Sequence, residues 1–160
     1  MSTLVVFFSL EGNTKFIAQN IAKSINADII ELKTGKQYPT EGFGKFFWGG
    51  KSVIFREKPK LINDSIDLNR YETIIIGTPV WAGSYTPPIN SFINQYKIQG
   101  KRIALFASHG GGGAEKCFAK LKKALPGNKF IGDIAFVEPK KNHGDNSSKA
   151  AKWALDIAAI

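Results

Sequence analysis

Four residues near the start of the chain carry the first chemical signal. Ser9, Gly12, Asn13 and Thr14 sit in the stretch Ser9-Leu10-Glu11-Gly12-Asn13-Thr14. Before it, Leu4 to Phe8 is a continuous apolar run, the pattern of a strand covered on both faces. After it, Ile17, Ala18, Ile21, Ala22 and Ile25 recur at helical spacing. The helix therefore starts in a turn rich in hydroxyl and amide groups. Its first N–H groups have no partner inside the helix, and its dipole favours an anion at that end. The chemistry this predicts is phosphate binding, mostly through backbone N–H groups and hydroxyls. Glu11 would contribute its N–H, because its carboxylate repels a phosphate. The same residue types also serve as ordinary helix caps. The stretch has neither the lysine of a nucleotide-hydrolysing loop nor a three-glycine dinucleotide fingerprint.

Two later segments are equally distinctive. Gly77-Thr78-Pro79-Val80-Trp81-Ala82-Gly83-Ser84-Tyr85 offers two large aromatics, a hydroxyl and a glycine free to change conformation. Trp81 can stack on a flat ligand or simply pack under the next helix. Ser108-His109-Gly110-Gly111-Gly112-Gly113 carries glycines that let backbone N–H groups approach a ligand closely. His109 either changes charge there near neutral pH or is a plain exposed loop residue.

Strands and helices alternate between these segments. Further strands are expected at Ala27–Leu32, Thr73–Thr78, Lys101–Ala107 and Phe130–Val137. Thr86 can cap a helix with Pro87 at its first position and a buried stripe of Ile89, Phe92, Ile93 and Tyr96. Ala114, Cys117, Phe118, Leu121 and Leu125 share one helical face, which places the cysteine in the core. A last helix from about Ser147 would bury Ala151, Ala154, Leu155 and Ala158, and His143 reads as a turn residue. Strands alternating with helices imply an α/β fold with a doubly wound parallel sheet. In such sheets ligands bind beyond the carboxyl ends of the strands, at the switch point. The three distinctive loops follow the first, third and fourth strands and should converge there.

The order of residues from Val5 through Ser9, Gly12 and Thr14 to Ala18 closely resembles the phosphate loop of flavodoxins. The resemblance extends over the whole chain, and the uninterrupted fifth strand is similar to that of short-chain flavodoxins. It implies a five-stranded sheet of order 2-1-3-4-5 in three α/β/α layers, a single domain over residues 1–160 and a non-covalent FMN. The FMN-binding residues it implies are Ser9, Leu10, Glu11, Gly12, Asn13 and Thr14 for the phosphate. Thr78, Pro79, Val80, Trp81, Ala82, Gly83 and Tyr85 would border the ring, with Thr78 near its junction with the ribityl chain. Ser108, His109, Gly110, Gly111 and Gly112 would meet its pyrimidine edge. In flavodoxins a peptide of the third-strand loop reorients on reduction; here the bend is Ala82-Gly83. Flavodoxins often carry an aromatic in the fourth-strand loop, where this chain has His109, so one ring face would be more open. The function implied is electron transfer, with an NAD(P)H-dependent FMN or quinone reductase of the same fold as the alternative.

Composition bounds the rest. The chain has 160 residues, one cysteine and a net charge of +9. A single cysteine excludes an intrachain disulfide, and no segment has the length and apolarity of a membrane span. These features and an N-terminus without a signal pattern lead to an expected cytoplasmic location. There is no Cys/His cluster with metal-ligand spacing. The positive charge contrasts with the generally acidic flavodoxins and would steer redox partner proteins with acidic docking surfaces. No nucleic-acid-binding motif accompanies it. Gly44 to Ser52 superficially resembles a nucleotide-binding P-loop, but Lys45 stands where a glycine is required. Phe43, Phe46, Phe47, Val53, Ile54 and Phe55 suggest a helix with an aromatic face, which in a flavin-free protein would be a docking surface.

Overall fold

The computed structural model describes residues 2–39 and 56–160. The expected aromatic helix over Phe43–Phe55 and the P-loop-like stretch Gly44–Ser52 lie outside the described residues, apart from which every expected element is present. The strands are β1 (Thr3–Phe7), β2 (Asp28–Glu31), β3 (Thr73–Pro79), β4 (Arg102–His109) and β5 (Lys129–Val137). All neighbours pair in parallel, in the order β2-β1-β3-β4-β5. The sheet is therefore the doubly wound flavodoxin-like one, with its switch point between β1 and β3. β5 runs without a long insertion, with one extra residue, Ile131, at a register shift opposite Ile103 and Ala104.

The apolar runs explain why the central strands are buried on both faces. Leu4, Val6 and Phe8 point into one core with Ile74, Ile76, Ile103 and Leu105. Val5 and Phe7 point into the other with Ile75, Ala104 and Phe106. Alternation along a strand sends successive side chains to opposite faces. Gly77 of β3 makes room for Phe106 of β4: a Cβ at Gly77 would lie 2.0 Å from the ring carbon Cζ.

Four helices cover the sheet among the described residues. α1 (Asn13–Ile25) buries Ile17, Ala18, Ile21 and Ala22 against the second core. α2 (Pro87–Tyr96) and α3 (Glu115–Ala124) cover the first, burying Ile89, Phe92 and Ile93, and Cys117, Phe118 and Leu121. α4 (His143–Ala158) lies beside α1. Ser147 Oγ and Asn20 Oδ1 are 2.5 Å apart across that contact. His143 stacks on Phe16 at 4.8 Å between ring centroids.

α4 corrects the sequence expectation in two ways. It begins at His143, not near Ser147, so His143 is its first residue and not a turn residue. Its buried stripe is Ala150, Ala154 and Ile157. Ala158 is exposed, Ala151 is only half-buried, and Leu155 is 56% exposed. Trp153 leans over Gly132 of β5, where a full side chain would crowd Ile157. No helix among the described residues is long and apolar enough to cross a membrane.

Candidate functional site

The loops after β1, β3 and β4 meet at the switch point and enclose a cavity of about 470 Å³. Its lining comprises Ser9, Leu10, Glu11, Asn13, Thr14, Pro79, Val80, Trp81, Ala82, Ser108, His109, Gly110 and Glu138. The volume lies in the range of small-molecule and cofactor sites.

The first loop is built around Ser9 and Gly12. Ser9 Oγ accepts from Gly12 N at 3.1 Å and from Lys15 N at 3.2 Å. Gly12 caps α1 with φ of +90°, a conformation that favours glycine. The first helical bond runs from Phe16 N to Gly12 O. The N–H groups of Asn13 and Thr14 have no acceptor among the described residues, as helix geometry dictates. They are the donors available to an anion.

Two of the expected ligand side chains are engaged within the protein. Thr14 is buried, and its Oγ1 is 2.7 Å from Ser108 Oγ at the end of β4. Asn13 Oδ1 accepts from Lys140 N at 3.2 Å. Lys140 Nζ in turn donates to Glu11 O at 3.0 Å. The short helical turn Pro139–Lys141 thus straps the first loop from outside.

The second loop is a tight hairpin. Trp81 N donates to Ser84 O, and Ser84 N to Trp81 O, both at 2.9 Å. Its central residues Ala82 and Gly83 have φ of +48° and +68°, the sign pattern of a type I′ turn. Trp81 meets Phe8 edge-on at 5.9 Å and Tyr38 at 5.3 Å. These contacts fix the indole while leaving it half-exposed on the cavity. Thr78 is fully buried and does not line the cavity. Its hydroxyl lies 2.8 Å from Pro79 O, accepts from Thr86 N at 3.1 Å and meets Thr86 Oγ1 at 3.2 Å. It anchors the hairpin to the start of α2. Gly83 and Tyr85 also lie off the lining, and Tyr85 faces a second cleft.

In the third loop His109 acts as a backbone clamp. Its Nδ1 accepts from Gly111 N at 3.0 Å and Gly113 N at 3.2 Å, which places any single ring proton on Nε2. Gly111 and Gly113 have φ of +129° and +86°. Gly110 lines the cavity, whereas Gly111 and Gly112 stand outside it.

A model of the flavodoxin family matches residues 2–153. The chain belongs to the flavodoxin family. Solved structures with the same fold include a flavoprotein in complex with FMN from Lactobacillus acidophilus. It is 23% identical, with 96% of this chain and 98% of that one covered and a TM-score of 0.75. Oxidised flavodoxin 2 from Bacillus cereus is 18% identical over 99% of each chain, with a TM-score of 0.64. A flavodoxin from the domain Archaea is 19% identical over 99% of this chain and 97% of that one, with a TM-score of 0.63.

Within this flavodoxin cavity, sequence reasoning missed Glu138 and the strap beside it. Glu138 follows β5 with φ of +39°, and its N–H donates to His109 O at 2.9 Å. Its carboxylate pairs with Lys141 at 2.7 Å. The only hint in the sequence is Glu138-Pro139, a strand-ending dipeptide. Among its described lining residues the cavity of this flavodoxin carries Glu11 and Glu138 and no lysine or arginine, although the chain carries +9 overall. Cys117 is buried in the core, and burial pushes its thiol up to about 12. It stays protonated at neutral pH and is no nucleophile.

Proposed function

We propose that this chain is an electron-transfer protein that carries a single non-covalent FMN in the switch-point cavity. The observation that carries the reading is the convergence of three loops on one cavity beneath the free N–H groups of α1. Phosphate would lie on the backbone from Ser9 to Thr14, held by dipoles without a lysine or arginine among the described lining residues. Ser9 keeps its hydroxyl proton to donate, since its oxygen only accepts from Gly12 and Lys15. The ring would lie along Pro79, Val80, Trp81 and Ala82, with its pyrimidine edge toward Ser108, His109 and Gly110. Thr78, Gly83, Tyr85, Gly111 and Gly112 would support these contacts from behind. The bound flavin supplies the redox chemistry, and the protein supplies orientation and electrostatics.

The test is FMN titration of the protein, wild type and Trp81→Ala, followed by stepwise reduction with dithionite. The reading expects tight 1:1 binding, weakened at least about tenfold in the variant, and reduction in two resolved one-electron steps. A protein that takes up no FMN would overturn it.

One observation favours a second reading, an NAD(P)H-dependent FMN or quinone reductase. The Gly110–Gly112 loop carries no aromatic, and no described residue lies within 4 Å of where its side chains would start. The ring face opposite Trp81 would then be open to a second flat substrate. Steady-state NADPH and NADH oxidation by the FMN-loaded protein separates the two: turnover supports the reductase. We infer a cytoplasmic setting and acidic partner proteins from the charge and the single cysteine; cross-linking to acidic partners at low and high salt tests the second point.

A further inference from the structure

A second cleft, of about 560 Å³, opens on the other side of the Trp81–Ser84 hairpin. One wall is the hairpin itself, through Ser84 and Tyr85; α2 contributes Asn90 and Asn94, and α3 contributes Lys120 and Lys123. Arg56, Glu57 and Lys58 also line the cleft. Asn90 fixes that segment by donating from Nδ2 to Arg56 O at 3.3 Å and Glu57 O at 3.1 Å. Ser91 Oγ donates to Pro59 O at 2.6 Å. The cleft is thus a held recess between three elements.

Its charge is one-sided. Among the described lining residues are Arg56, Lys58, Lys120 and Lys123, against the one carboxylate of Glu57. That carboxylate is already paired with Lys36. None of Lys58, Lys120 and Lys123 forms an ion pair with a described residue. Lys116, Lys120 and Lys123 follow one another at helical spacing on α3. The row starts beside the hairpin, where the Lys116 chain lies 3.8 Å from the Cβ position of Gly83. Tyr85 is half-buried, and burial raises its phenol above the ordinary value, so it offers an O–H donor at neutral pH. Like charges gathered around a recess repel one another, and a bound polyanion relieves that repulsion while the low-dielectric walls focus the field. The volume is that of a small-molecule site, and Arg56 and the lysines match phosphate oxygens in kind.

We propose that this cleft binds a phosphate-bearing small molecule, adjacent to the flavodoxin cavity and sharing the Trp81–Ser84 hairpin as a common wall. The site is separate from the phosphate loop of α1, whose donors are backbone N–H groups and whose cavity has no lysine or arginine among its described lining residues. It does not depend on which reading of the first cavity is right.

The experiment titrates ADP into the ¹⁵N-labelled protein in the presence of saturating FMN, which keeps the first cavity filled. Flavin absorbance reports that filling independently, so failure to load FMN is distinguishable from failure to bind ADP. The expected result is saturable shifts at Tyr85, Asn90 and Asn94, with a Kd below about 1 mM. Adenosine, which lacks phosphate, should leave these signals in place. Lys120→Gln with Lys123→Gln should weaken ADP at least about tenfold and leave FMN binding unchanged. Non-saturating shifts spread over the surface lysines, or equal affinity in the double variant, would overturn the proposal. So would shifts produced by a polyglutamate peptide and not by ADP, which would make the cleft part of a protein-docking surface.

Discussion

Thr14 Oγ1 and Ser108 Oγ lie 2.7 Å apart, both buried, and join the first turn of α1 to the end of β4. This bond couples the loop that would hold phosphate to the loop that would hold the ring edge. Thr14→Val should strand the Ser108 hydroxyl and cost about 1–3 kcal/mol. Adding Ser108→Ala should cost less than the two single changes together, because neither hydroxyl is then left unpaired. Urea unfolding of the three variants measures this. FMN affinity should fall about tenfold in each.

Gly77 and Phe106 fit tightly across neighbouring strands. With a Cβ placed 2.0 Å from the Phe106 ring, Gly77→Ala must displace that ring or its own strand. The expected loss is about 3 kcal/mol. Phe106→Leu should recover part of it in the double variant, whereas alone it destabilises by leaving a cavity. Thermal melts of all three decide whether the clash is local.

The fold was legible because both cores are built from long aliphatic runs. Val5 and Ile75 sit opposite Val6 and Ile76 across the sheet, and such two-faced burial leaves a continuous apolar signature. The site loops were legible for a related reason: hydroxyls, glycines and a tryptophan are conspicuous between apolar strands. The α4 stripe was not. Alanine-rich helices carry a weak periodic signal, and two stripes one residue apart, through Ala150 or Ala151, fit almost equally well. The strap through Lys140 was not legible either beyond the Glu138-Pro139 dipeptide, since the partners of Lys140 lie more than a hundred positions away. The hidden parts of Thr14 and Thr78 share one cause. A hydroxyl beside a ligand site looks the same in sequence whether it faces the ligand or holds the loop.

Ala82 occupies the left-handed region at φ of +48°. A Cβ there costs about 1–2 kcal/mol, and glycine avoids this at the expense of a more flexible unfolded chain. Ala82→Gly should therefore raise stability by about 1 kcal/mol or less. A shift in urea midpoint with an unchanged slope is the expected observation.

His109 holds the glycine loop through Nδ1. His109→Ala should leave the core intact but accelerate amide hydrogen exchange at Gly111 and Gly113. His109→Asn, which can offer an oxygen acceptor, should restore part of the protection. Equal exchange in wild type and alanine variant would remove the clamp role.

Alkaline pH should destabilise the fold. Burial, reinforced by the charge of Glu57, pushes the Tyr38 phenol up to about 12 from 10.0. Burial likewise pushes Cys117 to about 12 from 9.0. Each unfolded-state group ionises before its folded counterpart, so the stabilisation is complete below about pH 9 and lost as pH rises toward 12. Within its own window each group contributes a slope of about 1.4 kcal/mol per pH unit. Tyr38→Phe should flatten the profile between pH 10 and 12. At pH 7 the same change should cost almost nothing, because the buried Tyr38 hydroxyl has no hydrogen-bond partner among the described residues. Unfolding free energies measured across this range check both statements.

The strap from Lys140 to Glu11 and Asn13 spans 129 and 127 positions of chain. During translation, the turn that opens α1 leaves the ribosome long before the residues that brace it. A nascent chain ending before Lys140 would present the cradle residues without their outer support. Cofactor uptake would then follow the emergence of the 138–141 turn, making flavin loading a late event of biosynthesis and a report on how much of the chain has been made.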